Sequence, residues 1–339
     1  MTLFLIIGCN NGGGKIEKRN EFLTSIANLG KGFLDVFVTF GYMITGAFGI
    51  KAETKKSDVG KYFTSIAETM ESVKKKLQDE VAKNGNYEKV KTVVDQFITE
   101  TLDKIAAGAK EAAKGATGED KIGGAPTAGQ DAAPADAASV NALVKGIKTI
   151  VGVVLKDNEG NATATKTAED DKKDIGKLFE KKDSGTEAEA AKANASIGAV
   201  TGADILKAIS KSGETADNSK NIEEAKDAAS IASAKKEDNK KEIKDEAKKD
   251  AVIAAGIALR AMAKDGKFAA KSNEEKSAHA VNGVAASAVG KTLSTLIIAI
   301  RNTVDSGLKT INEALATVKQ EDKSSEVTKT EEVRTNVKS

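Results

Sequence analysis

Tryptophan is absent from this sequence, cysteine and histidine occur once each, and proline occurs twice. Each scarcity excludes something. With Cys9 alone, no internal disulfide holds the fold, and a catalytic thiol has no base nearby, because His279 lies far along the chain. No His, Cys or carboxylate set stands at a metal-ligand spacing, so the reading expects no metal and places His279 on a helix surface. With proline confined to Pro126 and Pro134, nothing interrupts long helices elsewhere. Charge of one sign is missing too: Lys and Arg number 52 against 50 Asp and Glu, which excludes a nucleic-acid binder working through a field of excess positive charge. The carboxylates sit in mixed charged runs, so no acid–base pair stands out. The stretch Asn10–Lys15, "NNGGGK", lacks the spacing, the Ser/Thr and the preceding strand of a phosphate loop. The triplet Asn161-Ala162-Thr163 fits a glycosylation acceptor, but so short a motif carries little weight by itself. These absences point away from an enzyme and leave no cofactor to assign.

What is present begins at the N-terminus. Leu3 to Ile7 form an apolar run, Gly8 is small, and Ile6-Ile7-Gly8-Cys9 resembles a bacterial lipobox, the signal for diacylglyceryl transfer to the cysteine and cleavage ahead of it. Residues 1–8 then read as part of a signal peptide, incomplete because no Lys or Arg precedes the apolar run. Cys9 is the lipidation site, N-acylated and S-diacylglycerylated, and residues 9–20 are a lipidated flexible tether.

The body alternates strong and weak helical signals. Phe22, Ile26, Leu29, Phe33, Val36, Phe40, Met43, Ala47 and Ile50 recur at spacings of four and three, and Leu23, Phe37, Ile44 and Phe48 add a second row beside them. A face that broad predicts neighbours on two sides. Asp35 and the short uncharged stretch that follows favour a core helix over a membrane span. Ser57 reads as the N-cap of a second helix through Val59, Phe63, Ile66, Met70, Val73, Leu77 and Val81, stopped at Asn84-Gly85. A third runs from Tyr87 through Ile105 and fades into a Gly- and Pro-containing loop, and a fourth covers Val140 to Leu155. Short helices are expected at 175–179, 203–209 and 222–231 between polar, solvated loops such as "KKDSGTEAEA". Ala251 to Lys264 reads as a helix of small residues, ended by Gly266 in a left-handed cap, with Lys264 and Lys267 reaching outward. Leu293, Ile297, Ile300, Val304, Leu308, Ile311, Leu315 and Val318 form a last long stripe. Of ten phenylalanines and three tyrosines, seven lie in residues 1–50, so most of the chain must pack with Ala, Ile, Val and Leu.

Residues 248–271, "KKDAVIAAGIALRAMAKDGKFAAK", resemble the invariable segment of the variable major lipoproteins of Borrelia spirochaetes: the variable large proteins and the related Vls antigen. "CNNGGG" at Cys9, "KKSDVGKYF" at Lys55–Phe63 and "GKTLSTLIIAIRNTVDSGLK" at Gly290–Lys309 extend the resemblance to both ends. Residues of about 115–246 match in character only. The resemblance implies a surface lipoprotein antigen whose expressed copy is exchanged to evade antibody, with the outer membrane and host antibodies as partners and no nucleic acid. An adhesin for host matrix, glycan or blood components is the alternative. The expected fold is all-α: an elongated helical bundle, its long N- and C-terminal helices packed together near the lipid anchor, with variable loops at the distal end. Residues 21–321 form one ectodomain with 115–246 as its loop-rich part, and 322–339 a polar tail.

Overall fold

A computed structural model of the chain describes residues 13–44, 49–84 and 87–319. Among the described residues eleven α-helices follow one another: α1 (Gly13–Ile44), α2 (Lys56–Lys83), α3 (Glu88–Phe97), α4 (Asp103–Gly115), α5 (Ala137–Val154), α6 (Glu169–Lys173), α7 (Glu187–Ala199), α8 (Gly202–Lys211), α9 (Ala228–Ser233), α10 (Asp250–Met262) and α11 (Glu275–Ala316). A π-helical turn at Ile98–Leu102 joins α3 to α4, and 3-10 turns occupy Ile175–Phe179 and Ile222–Glu224. Among the described residues β-pairing is limited to isolated bridges such as Lys55 with Lys121.

The large apolar residues determine the frame. Leu29, Phe33, Val36 and Phe40 of α1 are buried, as is the whole α2 stripe from Val59 to Val81. On α11, Leu293, Ile300, Val304, Leu308, Ile311 and Leu315 face the same core. Gly30 lies against Leu315 and Ile50 against Gly290, so α1 and α11 run antiparallel and bring the two ends of the described chain together. Phe22 meets Tyr87 edge to face, with ring centroids 5.9 Å apart, which puts the α2–α3 connection at that same end. Helices α5 and α11 are long and apolar enough to cross a membrane, but their apolar stripes are buried against neighbouring helices.

Several expectations are corrected. The tether assigned to 9–20 is helical from Gly13 on, through a Lys-Ile-Glu-Lys-Arg run of good helix formers. Helix α2 starts at Lys56, and the cap position is Lys55 rather than Ser57. The third helix continues to Gly115 instead of dissolving near Ile105. Its reason is tertiary: a side chain on Gly146 of α5 would stand 2.4 Å from the Gly108 carbonyl oxygen, so the α4 and α5 backbones touch, with Ala109 and Ala112 buried beside them. Helix α11 begins at Glu275, ahead of the expected Leu293, on a stripe of small residues: Ala278, Val281, Ala285 and Ala288. The run "KKDSGTEAEA" ends inside α7, whose capping box pairs Thr186 with Glu189.

Helix α1 has neighbours on two sides, α2 and α11, but part of its second row lies outside both. Phe37 keeps 39% of its surface exposed while Phe33, four residues earlier, keeps none. Phe33→Ala should therefore cost about 3–5 kcal/mol in denaturant unfolding, and Phe37→Ala much less. Equal losses, or none for Phe33→Ala, would mean that α1 does not pack on α2 and α11 as described.

Candidate functional site

Nothing in α10 reaches solvent: every residue from Asp250 to Met262 is buried. A helix apolar on all sides must be surrounded, and one built from Ala, Gly, Ile and Val is thin enough for close neighbours on all of them. Ile253, Ile257 and Leu259 point in different directions and are all fully covered. Helices α7, α8, α9 and α11 supply most of the cover.

Burying a helix end strands its last carbonyls and first amides, which then need partners inside the protein. At the C-terminal end of α10 the partner is Lys56. Its ammonium donates to the carbonyl oxygens of Arg260 (3.1 Å), Ala261 (2.8 Å), Ala263 (2.7 Å) and Gly266 (3.1 Å). Burial, with the Arg260 guanidinium adding to it against the pull of Asp120, pushes the Lys56 amine down to about 7. The four surrounding oxygens fit three N–H donors and leave no donor for the lone pair of a neutral amine. Arg260 does the equivalent for α9. Its Nη1 donates to Ala232 (3.1 Å) and Ala234 (2.9 Å), and its Nε donates to the Lys267 carbonyl (2.9 Å). The guanidinium carbon lies 4.9 Å from the centre of the Phe179 ring and 5.9 Å from that of Phe268. Both cations thus occupy helix C-termini, where the dipole favours positive charge.

At the other end, Asp250 opens α10 with its carboxylate turned on the loop before α6. It accepts from the amides of Lys166 (2.6 Å) and Thr167 (2.8 Å) and from the Thr167 hydroxyl (2.6 Å). Ala251 donates its amide to the Ala164 carbonyl (3.0 Å). Buried Lys172 completes the knot by donating to Thr165 Oγ1 (3.0 Å) and the Thr167 carbonyl (2.8 Å).

The chain leaves α10 differently from expectation. The helix stops at Met262, short of Lys264, and the left-handed residue is Asp265 (φ 65°) rather than Gly266. Aspartate tolerates that conformation. Gly266 serves closeness instead: a Cβ there would stand 2.2 Å from the Arg260 carbonyl oxygen, inside the set of oxygens that holds Lys56. Lys264 and Lys267 are exposed, as anticipated, and Phe268 is buried. His279 is exposed on α11, 3.3 Å from Glu275. Cys9 lies outside the described residues. Among the described residues no group of three or more His, Cys, Asp or Glu side chains is placed to hold a metal ion.

Residues 115–246 are more than loops. Ile175, Leu178, Phe179, Ala193, Ile197, Ile205, Leu206, Ile209 and Ile231 are buried, and α7, α8 and α9 of this part pack on α10. The expectation of a loop-rich part describes only its outer side. There the connections around 157–160, 181–184, 213–220 and 236–241 present polar and charged residues to solvent.

A family model of Borrelia lipoproteins matches residues 33–315. The chain belongs to the Borrelia lipoprotein family. It is 68% identical to variable large protein 4 of Borrelia hermsii over 99% of its own length and 97% of that protein, and 66% identical to variable large protein 17 of the same species over 99% and 96%. The crystal structure of the Lyme disease variable surface antigen VlsE of Borrelia burgdorferi superposes with a TM-score of 0.77 at 38% identity, covering 87% of this chain and 99% of that one. The matched structure is that of a variable surface antigen, and the matched relatives are variable large proteins. Within this Borrelia lipoprotein, residues 248–271 comprise the buried helix α10 and its flanks.

The Asp250 anchor generates a pH prediction. Burial raises its carboxyl, but the hydrogen bonds from Lys166 and Thr167 outweigh it and hold the group below the usual carboxylate range. The folded chain therefore binds this proton less readily than the unfolded chain. Its stabilisation is complete above about pH 4 and is lost as the pH falls through the depressed folded-state value. Asp250→Asn should lose about 1–3 kcal/mol at neutral pH, and its urea midpoint should fall less steeply than wild type between about pH 4 and 2. A parallel acid dependence in the two proteins would show that Asp250 does not carry it.

Proposed function

We propose that this protein is a lipid-anchored antigen on the outer surface of the outer membrane, and that it serves antigenic variation: successive versions keep the helical frame and change what antibody can reach. The observation that carries this reading is the division of the fold. The shared-looking segment 250–262 has no exposed residue, and the part of the chain that covers it turns charged loops outward. An antibody binds only accessible surface, so a uniform interior gives it nothing to recognise across versions. Exposed loop positions make few packing contacts, and substitution there changes stability little.

The ion pairs of these loops support the same view. Lys173 pairs with Glu242, Lys236 with Asp131 and Lys240 with Glu223, all at least a third exposed at one partner. Such pairs contribute about 0–1 kcal/mol each, so their exchange is inexpensive. Pairing with carboxylates also disfavours these lysines as a receptor for acidic glycans.

Anchoring follows from Cys9. A single acyl chain holds a protein only marginally, and several hold it firmly, at about 0.8 kcal/mol for each buried methylene. In cells making the chain behind a complete signal, Cys9→Ala should abolish palmitate incorporation and release the protein; unchanged incorporation would refute the anchor. Antibodies raised against the isolated peptide 248–271 should bind denatured protein strongly and intact cells poorly. Equal binding to both would show the segment at the surface and would overturn the proposed division between hidden and displayed parts.

A further inference from the structure

A groove of about 1060 Å³ runs along α11 beside the ends of α3 and α5. Its wall on α11 is Thr295, Ile298, Asn302, Ser306 and Thr310, with Phe97 and Leu155 across from them. This wall carries no charge, although the rest of the helix surface holds the ion pairs Arg301–Asp305 and Lys309–Glu313. Ile298 keeps 58% of its surface exposed there. The loop after α5 adds Asp157 and Glu159. They stand at the Thr295 end, since Gly160 lies against Ala203 and Gly202 against Thr295. Neither carboxylate has an ion-pair partner among the described residues.

We propose that this groove is the seat of the chain's own segment 325–338, laid back along α11 as an extended strand. The exit of the chain favours it. Thr317, the cap of α11, follows Thr310 by seven residues and so lies within ~20° of it round the helix, on the groove side. The pattern of the segment favours it as well. Val327, Val333 and Val337 all stand at odd positions, and every even position from Glu326 to Lys338 is polar. An extended strand therefore gathers the three valines on one face and leaves the other to solvent, whereas a helix would split Val327 from Val333 by ~120°. Reach then sets the register. From Lys319 back to Asn302 is ~25 Å along α11, and to Thr295 ~36 Å. At ~3.3 Å per extended residue, with about four residues spent on the reversal, Val327 comes level with Thr310, Glu331 with Asn302 and Val333 with the exposed Ile298. Arg334 arrives at the Thr295 end, with Lys338 beyond it, where Asp157 and Glu159 offer opposite charge. The uncharged Thr, Asn and Ser side chains of the wall suit an extended backbone, which brings a row of amides and carbonyls to pair with them.

Disulfide trapping tests the register in the chain carrying Cys9→Ala, so that the introduced thiols are the only ones. Asn302→Cys with Glu331→Cys is compared with Arg301→Cys with Glu331→Cys. Positions 301 and 302 are both exposed, but they stand ~100° apart round the helix, and only 302 lines the groove. A tail that moves at random on its tether presents the same effective concentration to both and closes both alike. Seated as proposed, it should close the 302 pair within one chain at least ~10-fold faster than the 301 pair. Adding Val327→Asp and Val333→Asp should bring the 302 pair down to the 301 rate. Equal rates at 301 and 302 would overturn the proposal, and so would a 302 preference that survives loss of both valines. Disulfides formed between chains rather than within one would assign the groove to a second copy and would equally overturn it.

Discussion

An ammonium group surrounded by backbone carbonyls holds this fold together at its least replaceable point. Lys56 opens α2, in the frame, and its side chain ends within 3.1 Å of four carbonyl oxygens at the far end of α10. A buried charge is costly unless it is fully hydrogen-bonded, and a buried helix terminus is costly unless its carbonyls are. Each requirement meets the other here. The same bonds draw the loop 263–268 tight, which is why Gly266 must be small and why Asp265 takes the left-handed turn. Arg260, in the last turn of the helix, does the same for α9 through Nη1, while its Nη2 has no hydrogen-bond partner and the guanidinium is flanked by Phe179 and Phe268.

From that constraint follows the division of labour in the molecule. The long helices α1, α2 and α11 carry many of the large apolar side chains, and one core runs from them through the middle of the chain. The middle is attached to them both directly, α5 packing on α4 and α7 and α8 on α11, and through α10: by Arg260 at α9, by Asp250 at the loop 164–167, and by the packing of α7 and α8 on α10. Polar bonds to backbone atoms do much of this work, and a backbone amide or carbonyl is present whatever side chain stands there. Such an attachment accepts a changing sequence outside while its own few residues, Lys56, Arg260, Asp250 and Gly266, keep the geometry inside.

The frame was legible because large apolar residues repeat at helical spacing, as in the stripes beginning at Phe22, Val59 and Leu293. Helices whose contacts are made by Ala, Gly and Ser left little such signal. The second half of α4, all of α7 and the first half of α11 are helical through tertiary packing of small residues rather than through periodicity of large ones. Local chemistry offered some help that periodicity did not, since Thr186 with Glu189 and Thr201 with Asp204 are capping boxes. The buried cations were harder. Arg260 stands out as the one charge within "VIAAGIALRAMA", a sign that it has internal partners, whereas nothing local distinguishes buried Lys56 from exposed Lys55. The burial of α10 was legible from its composition; the means of ending it in the interior was not, because the partners come from some two hundred residues away.

Helix α10 is enclosed, and its enclosure depends on the frame as a whole rather than on local structure. Native-state hydrogen exchange of the α10 amides reads this directly. Amides of residues 254–262 should exchange only through global unfolding, with an opening free energy equal to that from denaturant titration and well above that of the loops at 181–184 and 213–220. If those α10 amides instead exchange through a local opening far cheaper than global unfolding, the helix is displayed at least transiently, and the account of a hidden interior beneath a changeable exterior is contradicted.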